Sequence, residues 1–213
     1  MATVDLFKKI VEQTPASSDR EHLHILIDNN PSIPDRTESI LSGGPRPVNE
    51  ILKSATMLEK MGADFVVMPC NTAHYYYDQI QAGIQIPLLN MIQITAEACK
   101  ESGLKTVGLL STTGTVKTNL YQNAFHQVGL TCLSPTEADQ ETVMRYIYAY
   151  KAGEPIPEIR PLRVIVEQLQ LYGAECIVLG CTELPLILTQ KDSALPLLDP
   201  TLQLANAAVQ LAM

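Results

Sequence analysis

The 213-residue sequence has no tryptophan, no Cys-x-x-Cys pair and no apolar run near the roughly 20 residues that a bilayer-spanning helix needs. Its first residues, "MATVDLFKKIVEQT", lack the apolar core and cleavage site of a secretory signal and read as an amphipathic helix. Basic residues are in deficit: the net charge is −8, and no basic stripe with interleaved aromatics occurs. These absences argue against a nucleic-acid or membrane partner. The acidic balance itself reports solubility rather than a partner. Five cysteines, an odd number with no secretory signal, fit reduced thiols in the cytoplasm better than a disulfide framework.

Metal-ligand spacing is also lacking. His22 and His24 would share one face of a strand, but no third ligand stands nearby, so solvated surface histidines and no metal are expected.

What is present is an alternation of helical and strand-like apolar periods. Residues 1–13 read as a helix with Val4, Phe7, Ile10 and Val11 on one face. Helices are expected over 46–62, opened by Pro47 and stopped by Gly62, and over 73–82 and 94–102. Strands are expected at 22–28, "DFVVMP" and 86–91. The second half gives strands at 105–110, "LTCLS", "ECIVLG" and 195–198. Its helices fall at 116–128, 137–153, 160–172, 183–189 and from 201 onward. Short apolar strands alternating with helices imply an α/β fold with mostly parallel sheets.

The sequence repeats itself. "GADFVVMPCNT" begins at Gly62 and "GAECIVLGCTE" at Gly173, sharing Gly-Ala, an acid, an apolar run and a cysteine at the same place. Each copy leads on to a similar segment, "PLLN" at 87 and "PLLD" at 196. The second half opens with a strand and a polar turn, "KTVGLLSTTGT", ahead of its first helix, whereas the first half opens directly on a helix. An opening strand is therefore expected to be missing from the first half.

In parallel α/β sheets ligands bind beyond the carboxyl ends of the strands. Cys70 and Cys181 fall at such ends, each followed by a helix start, whose amides and dipole lower a thiol's pKa. Related repeats would set the two thiols on opposite walls of one cleft, suited to removing a proton from one face of a carbon and delivering one to the other. Inversion of a stereocentre beside a carboxylate is such a reaction. Asn71, Thr72 and Thr182 offer donors for that carboxylate. Thr112 and Thr115, in the polar turn after another strand, serve equally well as ligands or as ordinary helix caps. Cys99, Cys132 and Cys176 read as buried spectators. Tyr75, Tyr76 and Tyr77 fit a cleft mouth or a subunit interface.

"MPCNTAH" and "GCTE", together with "NNPSIPDRT", "STTGT" and "YKAG", resemble the aspartate racemase branch of the aspartate/glutamate racemase superfamily across the whole chain. The resemblance implies a cofactor-independent isomerase that interconverts L- and D-aspartate, with some tolerance for glutamate. It implies two similar flavodoxin-like domains, here 1–102 plus 199–213 and 103–198, with the site in the cleft between them and a homodimeric assembly. Cys70 would be the base for the D-enantiomer and Cys181 for the L-enantiomer. Arg36 of "PDRT" and Lys151 of "KAG" would be the cationic site residues, suited to a second carboxylate. Glu183 stands where the glutamate racemase branch usually shows histidine. Family members begin with a strand and a "GGMGP"-like loop just before the helix that opens this sequence, so both are expected to be lacking here. The alternatives are a hydantoin racemase or maleate isomerase built on the same cysteine pair, and an amino-acid-binding homologue without turnover. Pyridoxal phosphate is not expected, because the paired thiols already supply both proton-transfer groups.

Overall fold

Asp35 and Gly43 bracket a short helix that the apolar periodicity does not reveal. The Asp35 carboxylate accepts the Glu38 amide at 2.9 Å, and Gly43 closes the helix with φ of +66°. This is α2 (Arg36–Ser42), and it follows α1 (Ala2–Gln13). Next come α3 (Val48–Lys60), a 3-10 turn at Thr72–Tyr76 that runs into α4 (Tyr77–Gln81), and α5 (Met91–Glu101). The remaining elements are β1 (Thr106–Ser111), α6 (Thr113–Lys117), α7 (Leu120–Gln127), β2 (Thr131–Leu133), α8 (Glu137–Ala152), α9 (Arg160–Leu171), β3 (Cys176–Gly180), β4 (Leu197–Leu198) and α10 (Pro200–Ala212). The structure, a computed structural model, describes residues 1–156 and 158–213. The chain divides into two compact units, Met1–Met91 with Thr201–Met213, and Ile92–Pro200.

The second unit is built on a four-stranded, all-parallel sheet in the order β2-β1-β3-β4. Its strands are short runs of Val, Leu, Ile and Cys because both faces are covered, which removes any polar alternation. Val107, Leu109 and Leu110 of β1 and Ile177 and Val178 of β3 are fully buried. One apolar cluster joins α8 and α9 to β3 through Val143, Ile147, Leu162 and Leu169. Another joins α5 and α7 to the sheet through Ile92, Cys99, Tyr121 and Phe125. Each such aliphatic or aromatic side chain contributes on the order of 1.5–3 kcal/mol by leaving water. β1 and β3 approach so closely that position 180 has no room for a side chain. A Cβ on Gly180 would lie 2.8 Å from Leu109 Cδ1 and 3.1 Å from the Tyr121 ring.

The first unit departs from expectation. The segments at 22–28, 65–69 and 86–90 lie along non-helical paths but form no ladder, and Met91 already opens α5; a single parallel bridge joins Val66 to Leu88. A strand exists only where a neighbour takes up its backbone groups, and 22–28 has none among the described residues. The core of this unit is instead helical on one side: Val48, Ile51 and Ala55 of α3 pack with Val66, Tyr76, Ile80 and Leu88.

Smaller corrections follow the same logic. In α1 the buried residues are Leu6 and Ile10, while Val4 and Phe7 stand out in solvent, so the inner face is turned from the one the pattern suggested. The helix expected over 116–128 breaks into α6 and α7 at Asn119, whose φ of +54° is a left-handed conformation that asparagine tolerates. The helix expected over 183–189 is a 3-10 turn at Leu184–Leu186. Cys132 is half-buried rather than buried.

Candidate active site

Both repeat cysteines sit at the same backbone bend. The Cys70 amide donates to the Met68 carbonyl and the Cys181 amide to the Leu179 carbonyl, each at 2.8 Å, closing a three-residue turn at the carboxyl end of the apolar run. That turn stops the run and swings each sulfur off the strand axis. Beyond the bend the two copies differ: Cys70 leads into the 3-10 turn and α4, whereas Cys181 leads only into the short turn at Leu184–Leu186.

In the second unit the sulfur of Cys181 is almost fully buried and donates to Glu183 Oε2 at 2.9 Å. The Thr182 hydroxyl donates to the same carboxylate oxygen at 3.2 Å. Burial pushes the Cys181 thiol well above its ordinary range, and the adjacent Glu183 carboxylate pushes the same way; the charge of Lys151 opposes them. The expectation that a helix start would lower this thiol's pKa is therefore overturned. The turn after it is too short to carry much dipole, and desolvation together with a neighbouring anion outweighs what remains. Thr112 and Thr115, both buried just beyond β1, form their own pair: the hydroxyls lie 3.0 Å apart, and the Thr115 amide donates to Thr112 Oγ1. This is the capping geometry. Lys151, near the end of α8, is exposed, with its ammonium 5.2 Å above the Tyr148 ring.

In the first unit Arg36 and Cys70 line one cavity of about 220 Å³, together with Asn29 and Asn30. The Arg36 guanidinium donates to the Pro34 carbonyl at 3.1 Å, which holds it back against its own loop. Asn71 and Thr72 are buried and do not line that cavity. The tyrosines divide: Tyr75 is exposed, Tyr76 is buried with its hydroxyl 3.0 Å from Ser39 Oγ, and Tyr77 donates to the Leu88 carbonyl at 2.9 Å.

One neighbour of Cys70 escapes a reading by surface chemistry. His74 is fully buried, not solvated: its Nδ1 lies 2.9 Å from the Cys70 carbonyl, and its Nε2 receives the Met91 amide at 3.1 Å. Only the neutral ring protonated on Nδ1 satisfies both contacts. Burial depresses its pKa, with the carbonyls of Cys70 and Leu89 opposing. The signal was the four-residue spacing in "CNTAH", which returns a side chain to the carbonyl one turn back. His74→Leu is expected to cost about 2–4 kcal/mol at pH 7.5, by leaving a buried carbonyl and amide unpaired. Because the unfolded histidine takes up a proton below about pH 6.5 and the folded one resists, the wild type loses stability on acidification and the variant does not. Urea titrations should show the gap between them narrowing from pH 7 to pH 5; a constant gap would contradict the neutral buried ring.

Among the described residues no cluster of three or more His, Cys, Asp or Glu side chains is arranged to hold a metal ion, and no helix is long and apolar enough to cross a membrane.

The parallel α/β architecture and the repeated cysteine bend define a racemase-type fold, and the chain belongs to the Asp/Glu/Hydantoin racemase family, which matches it over residues 1–208. Membership makes it an isomerase of the racemase class. It is similar to the aspartate racemase of Picrophilus torridus, with 32% identity and a TM-score of 0.89 over 99% of this chain and 89% of that one. The broad-specificity amino-acid racemase RacX of Bacillus subtilis (strain 168) is 28% identical over 201 residues, 91% of this chain and 84% of that protein. The glutamate racemase of Aquifex pyrophilus shares the fold at a TM-score of 0.63 and 20% identity, over 99% of this chain and 80% of that one.

Proposed function

We propose that the chain interconverts L- and D-aspartate without a cofactor, with Cys70 and Cys181 as the two proton-transfer groups. The observation that carries the reading is the matched cysteine bend in the two copies of the repeat, with one of the two thiols held in its protonated form. A two-base racemisation needs one acid and one base at the start. Burial and Glu183 favour Cys181 as the thiol, the acid of the starting state, and this reading takes Cys70 as the base. Cys70 takes the α-proton of D-aspartate, the electron pair delocalises into the α-carboxylate, and Cys181 returns its proton to the opposite face. L-aspartate is released with the proton inventory reversed, and exchange with solvent, Cys70 giving up its proton and Cys181 taking one, restores the starting state.

Two cations suit a substrate with two carboxylates. Arg36 lies in the wall of the Cys70 cavity, and Lys151 is close enough to Cys181 to act on its titration. Thr182 and Glu183 keep the Cys181 sulfur oriented, while Asn71, Thr72, Thr112 and Thr115 supply polar groups around the two bends. Greater likeness to an aspartate than to a glutamate racemase supports aspartate as the preferred substrate, with glutamate as a lesser one. The same reading takes the working assembly as a homodimer in the cytoplasm.

Heavy water tests it. Starting from either enantiomer, deuterium should enter the α-position of the product well before it appears in the remaining substrate, because each face has its own proton donor. Fast labelling of the starting enantiomer would mean a single exchanging base. Binding of aspartate by calorimetry with no racemisation would leave a binding protein instead.

A further inference from the structure

A buried glutamine in the first turn of α8 reaches across to the end of β1. Gln140 donates through Nε2 to the Ser111 carbonyl at 2.8 Å and, more weakly at 3.4 Å, to Thr113 Oγ1. One turn further along the same helix face, the Met144 sulfur receives the Thr113 amide at 3.1 Å. Two side chains four residues apart thus take hold of Ser111 and Thr113, on either side of Thr112. The two grips are unequal, because a thioether is a weak acceptor whereas a carboxamide N–H is a full donor.

The partners of the carboxamide fix its orientation. Turned over, it would set its oxygen against the Ser111 carbonyl, two acceptors face to face. In the orientation that satisfies Ser111, Oε1 is buried and meets no hydrogen-bond partner among the described residues. An orphaned acceptor is unfavourable, and a methionine of the same length would fill the space without one. What offsets it is confined to Nε2, and therefore to the turn that Nε2 holds.

On the two-thiol reading that turn belongs to the site. Ser111 is fully buried and lies beside Gly180 in the sheet, and Gly180 immediately precedes Cys181. Thr112 and Thr115 come next along the chain, their hydroxyls 3.0 Å apart. We infer that Gln140 is a positioning residue for racemisation: by holding the Ser111 carbonyl it fixes where Thr112 and Thr115 stand relative to the Cys181 bend. It acts through that turn, and the inference rests on the function proposed above.

The test compares the whole wild-type chain with Gln140→Met and Gln140→Glu in aspartate racemisation, with melting curves to give the folded fraction. Gln140→Met fills the same space but has no donor. Its kcat should fall by about tenfold to a hundredfold, because a misplacement of about 1 Å in a site can cost a hundredfold. Its KM should change by less than about threefold, since the loss falls on the reacting geometry rather than on binding. Exchange of the Thr115 amide, which Thr112 Oγ1 caps, should quicken by about tenfold in the same variant as the turn loosens. Gln140→Glu keeps the length of the side chain but donates only when its carboxyl is protonated, the form that burial favours. Its kcat as a fraction of wild type should therefore rise as the pH falls from about 8 to about 5.5, while that of Gln140→Met stays flat. The proposal is overturned if Gln140→Met keeps wild-type kcat, if its loss only tracks the unfolded fraction, or if Gln140→Glu shows no recovery at low pH. A wild type that leaves aspartate unracemised would instead overturn the two-thiol reading, and this proposal with it.

Discussion

Cys70→Ser and Cys181→Ser should each lower kcat for aspartate racemisation by at least about a thousandfold, in both directions, because each removes one of the two proton-transfer groups of the proposed mechanism. Serine preserves the size of the side chain, but its hydroxyl is a far weaker acid than a thiol and cannot serve as a base near neutral pH. The two losses should be similar in size, and the double variant no worse than either single one, since residues that act as one unit are not additive. The fold should survive: Cys70 is half-buried, and a hydroxyl at 181 can still donate to Glu183. Chiral chromatography of L- and D-aspartate after long incubation gives the readout, with melting curves as the control for folding. Turnover retained in both single variants would end the two-thiol mechanism.

The second large effect is on stability rather than rate. Above about pH 8.5 the second unit should lose stability steeply, because Cys99, Cys132 and Cys181 titrate later when folded than when unfolded, while Cys176, lowered by its hydrogen bond with Cys99, adds nothing to the loss. Burial pushes Cys132 up to about 12. Cys99 is raised by the hydrogen bond it shares with Cys176 and then by burial, and Cys181 by burial and then by Glu183. From pH 8.5 upward the unfolded chain gives up these protons while the folded chain keeps them, so unfolding is favoured as pH rises. Each such thiol contributes about 1.4 kcal/mol per pH unit, and three together about 4 kcal/mol. Below pH 8 the same groups contribute no slope. Urea midpoints measured from pH 7.5 to 10.5 should fall along this curve, and Cys132→Val should flatten it. A flat profile, or a slope unchanged in that variant, would mean that these thiols titrate at ordinary values.

The two halves of the sequence were not equally legible, for a physical reason. "KTVGLL" and "ECIVLG" become strands because they find each other, Val107 beside Cys176 and Ser111 beside Gly180. "HLHILID" and "DFVVMP" carry the same apolar signal, but a ladder depends on a neighbour, and no local window of sequence shows whether one is present. The internal repeat makes the comparison possible: the second copy pairs with β1, whereas the first has only the Val66–Leu88 bridge. Asp35 and Gly43 end α2, but "RTESILS" has too few apolar residues to announce a helix between them. The site splits in the same way. Repetition singles out Cys70 and Cys181, and a short motif brings Glu183 with its cysteine. His74 was hidden because a histidine's burial depends on which carbonyl and which amide close over it, here those of Cys70 and Met91.

The tight contact at Gly180 ties chemistry to ordinary interior drift. The sulfur of Cys181 hangs one residue beyond a position walled in by Leu109 and Tyr121, neither of which touches solvent. Any inherited change of bulk at 109 or 121 moves the floor under that sulfur before it alters anything else at the surface. On the proposed two-thiol mechanism, mutations remote from the reacting carbon would tune turnover, and a hunt for faster or slower variants has reason to begin there.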